Sequence, residues 1–177
     1  MNTRDLRTFG VHAERSDQRD TLTTAGALRV WLRARHLISD SERVSRADLE
    51  RAVALREALR TALDTSETRR RRDEGHERLR GVAAELPVEI DFDGSGRPLL
   101  KPRSRGVDAA LTLLLVSAVE ASIGGRWSRL KLCAASDCQW AFVDDSRNRL
   151  QRWCATRVCG NRMKTRNYRN RMRSHES

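Results

Sequence analysis

The sequence predicts a mainly α-helical protein with small β-hairpins, in which a helical N-terminal domain precedes a compact four-cysteine module. Apolar residues recur at helical spacing in several segments before residue 124. All four cysteines of the 177-residue chain lie within one short segment near the C-terminus. Most of the net positive charge lies in the same segment. Two parts with different composition and different stabilising chemistry therefore follow one another along the chain.

The helical part is expected to begin after an irregular arm of about 20 residues, which shows no clear period. Thr23 or Thr24 is placed to cap the first helix, because a threonine hydroxyl can accept a hydrogen bond from an amide of the first turn. Leu28 and Leu32 share one face of this helix, and the pattern ends after Ile38.

The second helix has the clearest start. Ser45 is followed three residues later by Asp48, which resembles a capping box. Apolar residues then continue at helical spacing as far as Leu63. We therefore expect an amphipathic helix over this segment.

The secondary-structure patterns are weaker between residues 69 and 100. The arginine run at residues 69–72 has acidic neighbours, which favours an exposed helix end or loop with local ion pairs, and a weak helix is expected near residues 76–85. Residues 88–92 alternate with strand period, and the turn-forming residues 93–96 separate them from a second extended segment at 97–100. A small β-hairpin near residues 88–100 is therefore predicted.

An apolar run from Ala109 to Val119 is shorter than the roughly 20 residues that a bilayer crossing requires, so we expect a buried core helix and no membrane association. Gly124 and Gly125 supply its C-terminal cap and a linker. We place the domain boundary there, between a helical domain at residues 1–125 and a basic module at residues 126–177.

The cysteines form two C-x4-C pairs, Cys133 with Cys138 and Cys154 with Cys159. This spacing is typical of a closed tetrahedral zinc site, in which four thiolates hold one structural Zn²⁺ and leave no position for a substrate. Two disulfides are the alternative. The N-terminus lacks an apolar stretch of signal-peptide length, so we expect a cytoplasmic protein. The cytoplasm keeps thiols reduced and therefore favours zinc over disulfides.

Strand-forming residues flank the first cysteine pair, which predicts a hairpin with the pair in its tight turn. The segment after Gly160 has neither proline nor glycine as far as residue 171, so we expect a helix that opens at Cys159. Knuckle, hairpin and helix around one zinc make the module a treble-clef-like zinc finger.

Charge identifies the expected partner. Residues 126–173 carry 13 lysines and arginines against 3 acidic residues, whereas residues 1–125 carry 22 against 20. So local an excess is typical of proteins that bind a phosphate backbone, because neutralised phosphates release condensed counterions. The alternative is a basic surface that only confers solubility.

Several motifs resemble a known family. Cys159-Gly160-Asn161-Arg162, preceded by Arg147-Asn148-Arg149 and Arg152-Trp153-Cys154, looks like the CGNR zinc finger over about residues 132–168. Asn2-Thr3, Trp31-Leu32-Arg33 and the hairpin are similar to the ABATE domain that accompanies this finger. Such two-domain bacterial proteins are regarded as stress-induced transcription regulators. The resemblance therefore implies that the finger binds duplex DNA and that the N-terminal part is regulatory.

The finger helix can enter or cross a groove, and asparagine offers the donor and acceptor pair that contacts adenine edges. Arginines on the preceding loop are better placed to hold phosphates. The predicted nucleic-acid contacts are Arg147, Asn148, Arg149, Arg152, Asn161, Arg162, Lys164, Arg166 and Arg169. Asn161 has a structural alternative, closing the turn around the metal. Trp140, Phe142 and Trp153 could stack on bases, but are expected to form the core of the finger.

Other functions are less well supported. Residues 126–173 contain no histidine that could act as a general base, so we expect no enzymatic activity. A zinc-folded RNA-binding module and a protein-interaction adaptor remain the alternatives to DNA binding. For the helical domain, the hypotheses are that it senses a small-molecule effector held between its helices, or that it only joins two copies in a homodimer.

Overall fold

The computed structural model describes residues 1–7, 9, 20–64 and 69–175. Within these residues there are five α-helices and two antiparallel two-stranded sheets. In chain order the elements are α1 (Ala25–Arg33), α2 (Arg46–Leu63), α3 (Arg69–Ala84), β1 (Val88–Phe92), β2 (Pro98–Pro102), α4 (Gly106–Ile123), β3 (Leu130–Leu132), β4 (Ala141–Val143) and α5 (Asn161–His175). A mainly α fold with small β-hairpins is thus confirmed. Most of the predicted irregular arm lies outside the described residues.

Side-chain caps start the first two helices, as the sequence predicts. The hydroxyl of Thr24 accepts a hydrogen bond from the amide of Ala27 at 3.1 Å. Ser45 and Asp48 form a complete capping box, each side chain accepting a hydrogen bond from the other residue's amide. These bonds satisfy amides that the helices cannot pair internally.

Helix α1 ends at Arg33, so the prediction that it extends to Ile38 is wrong. The cause is His36, whose φ of 55° places it in the left-handed region. The amide of His36 donates to the carbonyl of Arg33 at 2.9 Å, and the amide of Leu37 donates to that of Leu32 at 3.0 Å. These paired bonds form a Schellman motif in which histidine takes the position that glycine usually occupies.

The core of the helical domain lies between α1, α2 and α4. Leu28 and Leu32 of α1, Leu55 of α2 and Ala110 and Leu111 of α4 are each at most 2% exposed. Because burial of each large apolar side chain contributes about 1.5–3 kcal/mol, this cluster is the main stabilising feature of the domain.

Helix α3 begins at Arg69, well before the predicted start near residue 76, so the arginine run forms the first described turn of this helix, in agreement with the predicted helix end. Arg70 forms the expected local ion pair, with 3.1 Å between its Nε and a carboxylate oxygen of Glu74 one helical turn later. The helix packs against α2.

The predicted first hairpin is confirmed, although β2 continues to Pro102 rather than ending at residue 100. Its turn is closed by Asp93, whose carboxylate accepts hydrogen bonds from the amides of Ser95 at 2.8 Å and Arg97 at 3.0 Å. The Asp93 side chain thus stabilises the turn by accepting hydrogen bonds from its backbone amides.

Helix α4 is longer than the apolar run suggested, and by length and composition it could cross a membrane. In this fold Val107, Ala110 and Val116 are buried in the protein interior, whereas Leu113, Val119 and Ile123 are exposed, so the prediction of a buried core helix holds for one face of α4 only. The helix ends at the glycine pair, as predicted. The amide of Arg126 donates to the carbonyl of Ala121 at 2.7 Å, which turns the chain directly towards β3.

Candidate metal centre and nucleic-acid interface

The second sheet and the N-terminal turns of α5 bring the four cysteines together. Cys133 follows β3, Cys138 lies in the turn before β4, Cys154 lies in the loop after β4 and Cys159 lies in a π-helical turn over Thr156–Gly160. Their four Sγ atoms all lie within 4.8 Å of one another. The Sγ of Cys154 is 3.7 Å from those of Cys138 and Cys159.

These distances fit zinc. Four sulfur atoms at about 2.3 Å from a central Zn²⁺ lie roughly 3.8 Å apart in a regular tetrahedron. All four cysteines are free thiols, and Cys133, Cys138 and Cys159 are buried, so the structure supports the metal and not the disulfide alternative. The group is an all-thiolate site for one structural zinc ion.

Backbone hydrogen bonds fix the two cysteine-bearing turns. The amide of Cys133 donates to the carbonyl of Trp140 at 2.9 Å, and the amide of Cys138 donates to that of Ala135 at 2.9 Å. The helical turn before α5 starts at Thr156, so the prediction that the helix opens at Cys159 places its start too late. Cys159 is instead held inside the π-helical turn.

Electrostatics explains why the cluster needs a cation. A hydrogen bond from the Cys138 thiol lowers the pKa of Cys133 to about 5, and the same bond together with burial raises the pKa of Cys138. Burial, reinforced by the charge on Cys133, raises the pKa of Cys154 to about 12. Four thiolates this close repel one another, and a divalent cation between them offsets the repulsion.

The glycine of the Cys-Gly-Asn-Arg tetrad lies in a closely packed position. A Cβ atom at Gly160 would lie 3.0 Å from Cδ1 of Trp153 and 3.4 Å from Cγ2 of Thr156. Trp153 packs beside the cysteines together with Trp140 and Phe142, so the prediction that these aromatic rings form the core of the finger is confirmed.

The arginine of the tetrad has partners inside the protein. The guanidinium of Arg162 donates a hydrogen bond to the carboxylate of Asp137 and lies over the ring of Phe9, 3.6 Å from its centroid. The hydrogen bond raises the pKa of Arg162 and lowers that of Asp137. Since its side chain is only 28% exposed, Arg162 ties α5 to the first cysteine turn, and its contact with DNA stays a prediction.

A buried carboxylate that the sequence analysis missed organises the loop before the second cysteine pair. Asp144 has no exposed surface and accepts hydrogen bonds from the ammonium of Lys131 at 2.6 Å and from the amides of Ser146 and Gln151, both at 3.0 Å. The bond from Lys131 lowers the pKa of Asp144. The turn-forming sequence Asp144-Asp145-Ser146 is the feature from which this role could have been predicted.

This loop presents its basic side chains to solvent. Arg147, Arg149 and Arg152 are exposed, and the φ of 55° at Arg149 turns the chain there. The Oδ1 of Asn148 accepts a hydrogen bond from the amide of Leu150 at 3.3 Å, so the asparagine helps to shape the loop. Phosphate contacts by these residues remain predictions.

Helix α5 extends away from the metal centre. All its residues from Lys164 to Ser174 are exposed, and Asn161 is exposed at its start. Arg166 and Arg169 line a shallow groove along one helix face, next to Arg162. Apart from Tyr168 and Met172, which are also exposed, this surface is polar or charged, so it contributes little to a core and is available to a partner.

The finger is anchored to the helical domain by contacts that the sequence analysis did not identify. The side-chain amide of Asn2 donates to the carbonyl of Ala141 at 2.8 Å and accepts from its amide at 2.8 Å. Arg60, whose side chain is only 4% exposed, donates to the carbonyl of Gln139 at 2.9 Å. Asn2 figured earlier only in the family resemblance, and Arg60 gave no recognisable signal.

Comparison with known families now adds to this geometry. The ABATE family, described as "Putative stress-induced transcription regulator", matches residues 1–125, and the CGNR zinc finger matches residues 129–172. No curated protein matches the chain. The first match covers more than half of the sequence, and the second includes all four cysteines. The chain therefore belongs to the ABATE family, and its C-terminal CGNR zinc finger makes it a zinc-binding regulator.

Proposed function

We propose that this regulator binds duplex DNA through its zinc finger, with α5 as the element that contacts the groove. The observation that carries the proposal is the exposed surface of α5, which bears basic residues and contains no aspartate or glutamate. Its 15 residues span about 22 Å, enough to cross a major groove. The metal site holds the start of this helix rigidly.

Two kinds of contact are expected. Asn161, together with Arg166 and Arg169, is placed to reach base edges or the groove walls, whereas Arg147 and Arg149 are placed to bind phosphates. Lys131 and Asp144 hold the loop that carries the latter pair, so the loop is ordered before DNA binds. Preordering reduces the entropy that binding must offset.

The alternatives receive less support. Recognition of single-stranded RNA uses stacking on exposed aromatic rings, but the tryptophans of the finger pack around the cysteines. An adaptor would need a larger apolar surface than this mainly charged finger offers. We also infer that the chain is not an enzyme and acts in the cytoplasm, as expected of a transcription regulator.

The helical domain is proposed to regulate the finger, because its near-neutral charge makes it a weak DNA binder alone. Homodimer formation remains a prediction. Val88, Ile90 and Phe92 of β1 form an apolar hairpin face with exposed fractions of 42%, 71% and 63%, and this is the surface on which to test it. Sedimentation of wild-type protein and the Ile90→Asp variant measures whether copies associate there.

DNA binding is tested with the full-length, zinc-loaded protein. Duplexes selected from a random pool are titrated at several salt concentrations and followed by fluorescence anisotropy. Because each phosphate contact contributes about 0.9 to the log–log salt slope, we expect a slope of several units.

Variants separate the two kinds of contact. Arg149→Gln should weaken all sequences alike, and Asn161→Ala should reduce discrimination between sequences. Arg46→Gln is the matched control, because Arg46 is an exposed helical arginine in the other domain, paired with Glu50. Tighter binding to single-stranded RNA than to any duplex would overturn the proposal.

A further inference from the structure

A cavity of about 250 Å³ lies between α1, α2 and α4 of the helical domain. Its walls are mainly apolar and include Leu28, Trp31, Leu55, Leu111 and Ala118. An apolar cavity of about 150 Å³ is known to accept benzene, so this larger cavity has room for a molecule with one or two rings. We propose that the cavity binds a neutral, largely apolar small molecule, and that its occupant strengthens the attachment of the finger.

The charges beside the cavity explain why the ligand is neutral. Arg56 reaches the wall, but its guanidinium donates to both carboxylate oxygens of Asp20, at 2.6 and 2.7 Å, and to the hydroxyl of Thr3 at 3.1 Å. Its charge is therefore already compensated. Met1 also lines the cavity, and burial, reinforced by the charge on Arg60, lowers the pKa of its amino group and so favours the uncharged form. A ligand carboxylate would therefore lose its hydration without gaining an unpaired cation from Arg56, which opposes its entry.

The position of the cavity connects it to the finger. Trp127 and Leu130 form part of the wall, and Leu130 is the first residue of β3, where it pairs with Val143 of β4. Thr3 also lines the cavity, and the neighbouring Asn2 holds the backbone of Ala141. An occupant that fills the cavity thus contacts both segments that join the finger to the helical domain.

This proposal deepens the regulatory role proposed above and rests on it for its biological meaning, but it is tested without DNA. Failure here is therefore distinguishable from failure of DNA binding. Toluene and benzoate serve as probes, because they differ in one methyl or carboxylate group on the same ring. Isothermal titration of zinc-loaded, full-length protein should show saturable toluene binding, with benzoate binding at least about tenfold more weakly.

Cavity-filling variants locate the site. Ala118→Leu places a branched side chain in the cavity and should abolish toluene binding while leaving the protein folded. Ala121→Leu fills the same cavity from the next turn of α4 and replaces the first variant if that one does not fold. Ala84→Leu makes the same change at an exposed position of α3 and should bind toluene as the wild type does.

The link to the finger is measured by amide hydrogen exchange. Saturating toluene should slow exchange in Leu130–Leu132 and at Ala141 at least about twofold, because these amides lie where the finger joins the cavity wall. Absence of saturable toluene binding, equal binding by the wild type and Ala118→Leu, or binding with unchanged exchange in β3 would each overturn the proposal.

Discussion

Replacing Asn2 by alanine should loosen the finger from the helical domain. The side chain of Asn2 makes two hydrogen bonds of 2.8 Å to the backbone of Ala141, which is only 8% exposed. The variant leaves one amide and one carbonyl without these partners. An unsatisfied buried polar group costs about 1–3 kcal/mol, and β4 lies at a sheet edge that water can reach. We therefore expect each of the two groups to cost about 1 kcal/mol, the low end of this range, so that the variant loses about 2 kcal/mol of stability in total.

A loss of this size lowers the equilibrium constant for folding roughly thirtyfold. It is measured by urea denaturation of zinc-loaded, full-length protein, followed by the fluorescence of all four tryptophans, of which Trp140 and Trp153 lie in the finger. Amide exchange at Ala141 should quicken in parallel, because this amide loses its acceptor. Asn170→Ala, at an exposed position of α5, is the matched control and should change stability by no more than about 0.5 kcal/mol. If Asn2→Ala is as stable as this control, the pairing does not hold the finger.

Three further predictions follow from the metal centre and its surroundings. Cys154→Ser should reduce bound zinc below about half an equivalent and unfold the finger while α1, α2 and α4 remain folded. Metal analysis and circular dichroism measure these two effects, and full zinc content in the variant would contradict the prediction. Arg162→Ala and Asp137→Ala should each lower the melting temperature. Because the two side chains share one interaction, the melting temperature of the double variant should be little lower than that of either single variant, and fully additive decreases would refute the pairing. The lowered pKa of Asp144 means that its ionised form stabilises the fold above the ordinary carboxyl pKa and that this contribution disappears as pH falls through the lowered value. The stability difference between wild type and Asp144→Asn should therefore be constant near neutral pH and shrink below about pH 4, whereas a difference that grows in acid would reverse the assigned sign.

Local chemistry made much of the fold predictable. Thr24 and Ser45 marked helix starts because capping depends on residues within one turn. The four cysteines were identifiable because zinc requires a fixed donor set at short spacing, and Gly124 marked the end of α4. In each case the deciding interaction joins residues that are close in sequence.

The remaining features depend on contacts between distant residues. His36 ends α1 with a backbone conformation that its residue type rarely adopts, so the sequence pattern favoured a longer helix. Arg162 resembled a free DNA contact until the fold placed Asp137 and Phe9 beside it. Asn2 acquires a structural role only once Ala141 lies next to it. Tertiary proximity of this kind leaves no periodic pattern in the sequence.

The pairing of Asn2 with Ala141 also sets the order of events during synthesis. The two residues are separated by 139 positions, so the ribosome needs about 7–28 s to make the partner after Asn2 has been added. During this interval the helical domain can form its own core and bind Thr3 through Arg56, but the side chain of Asn2 still lacks its partner in the finger. The joined protein can therefore be completed only after β4 has emerged, and its two ends are brought together as a late step of maturation.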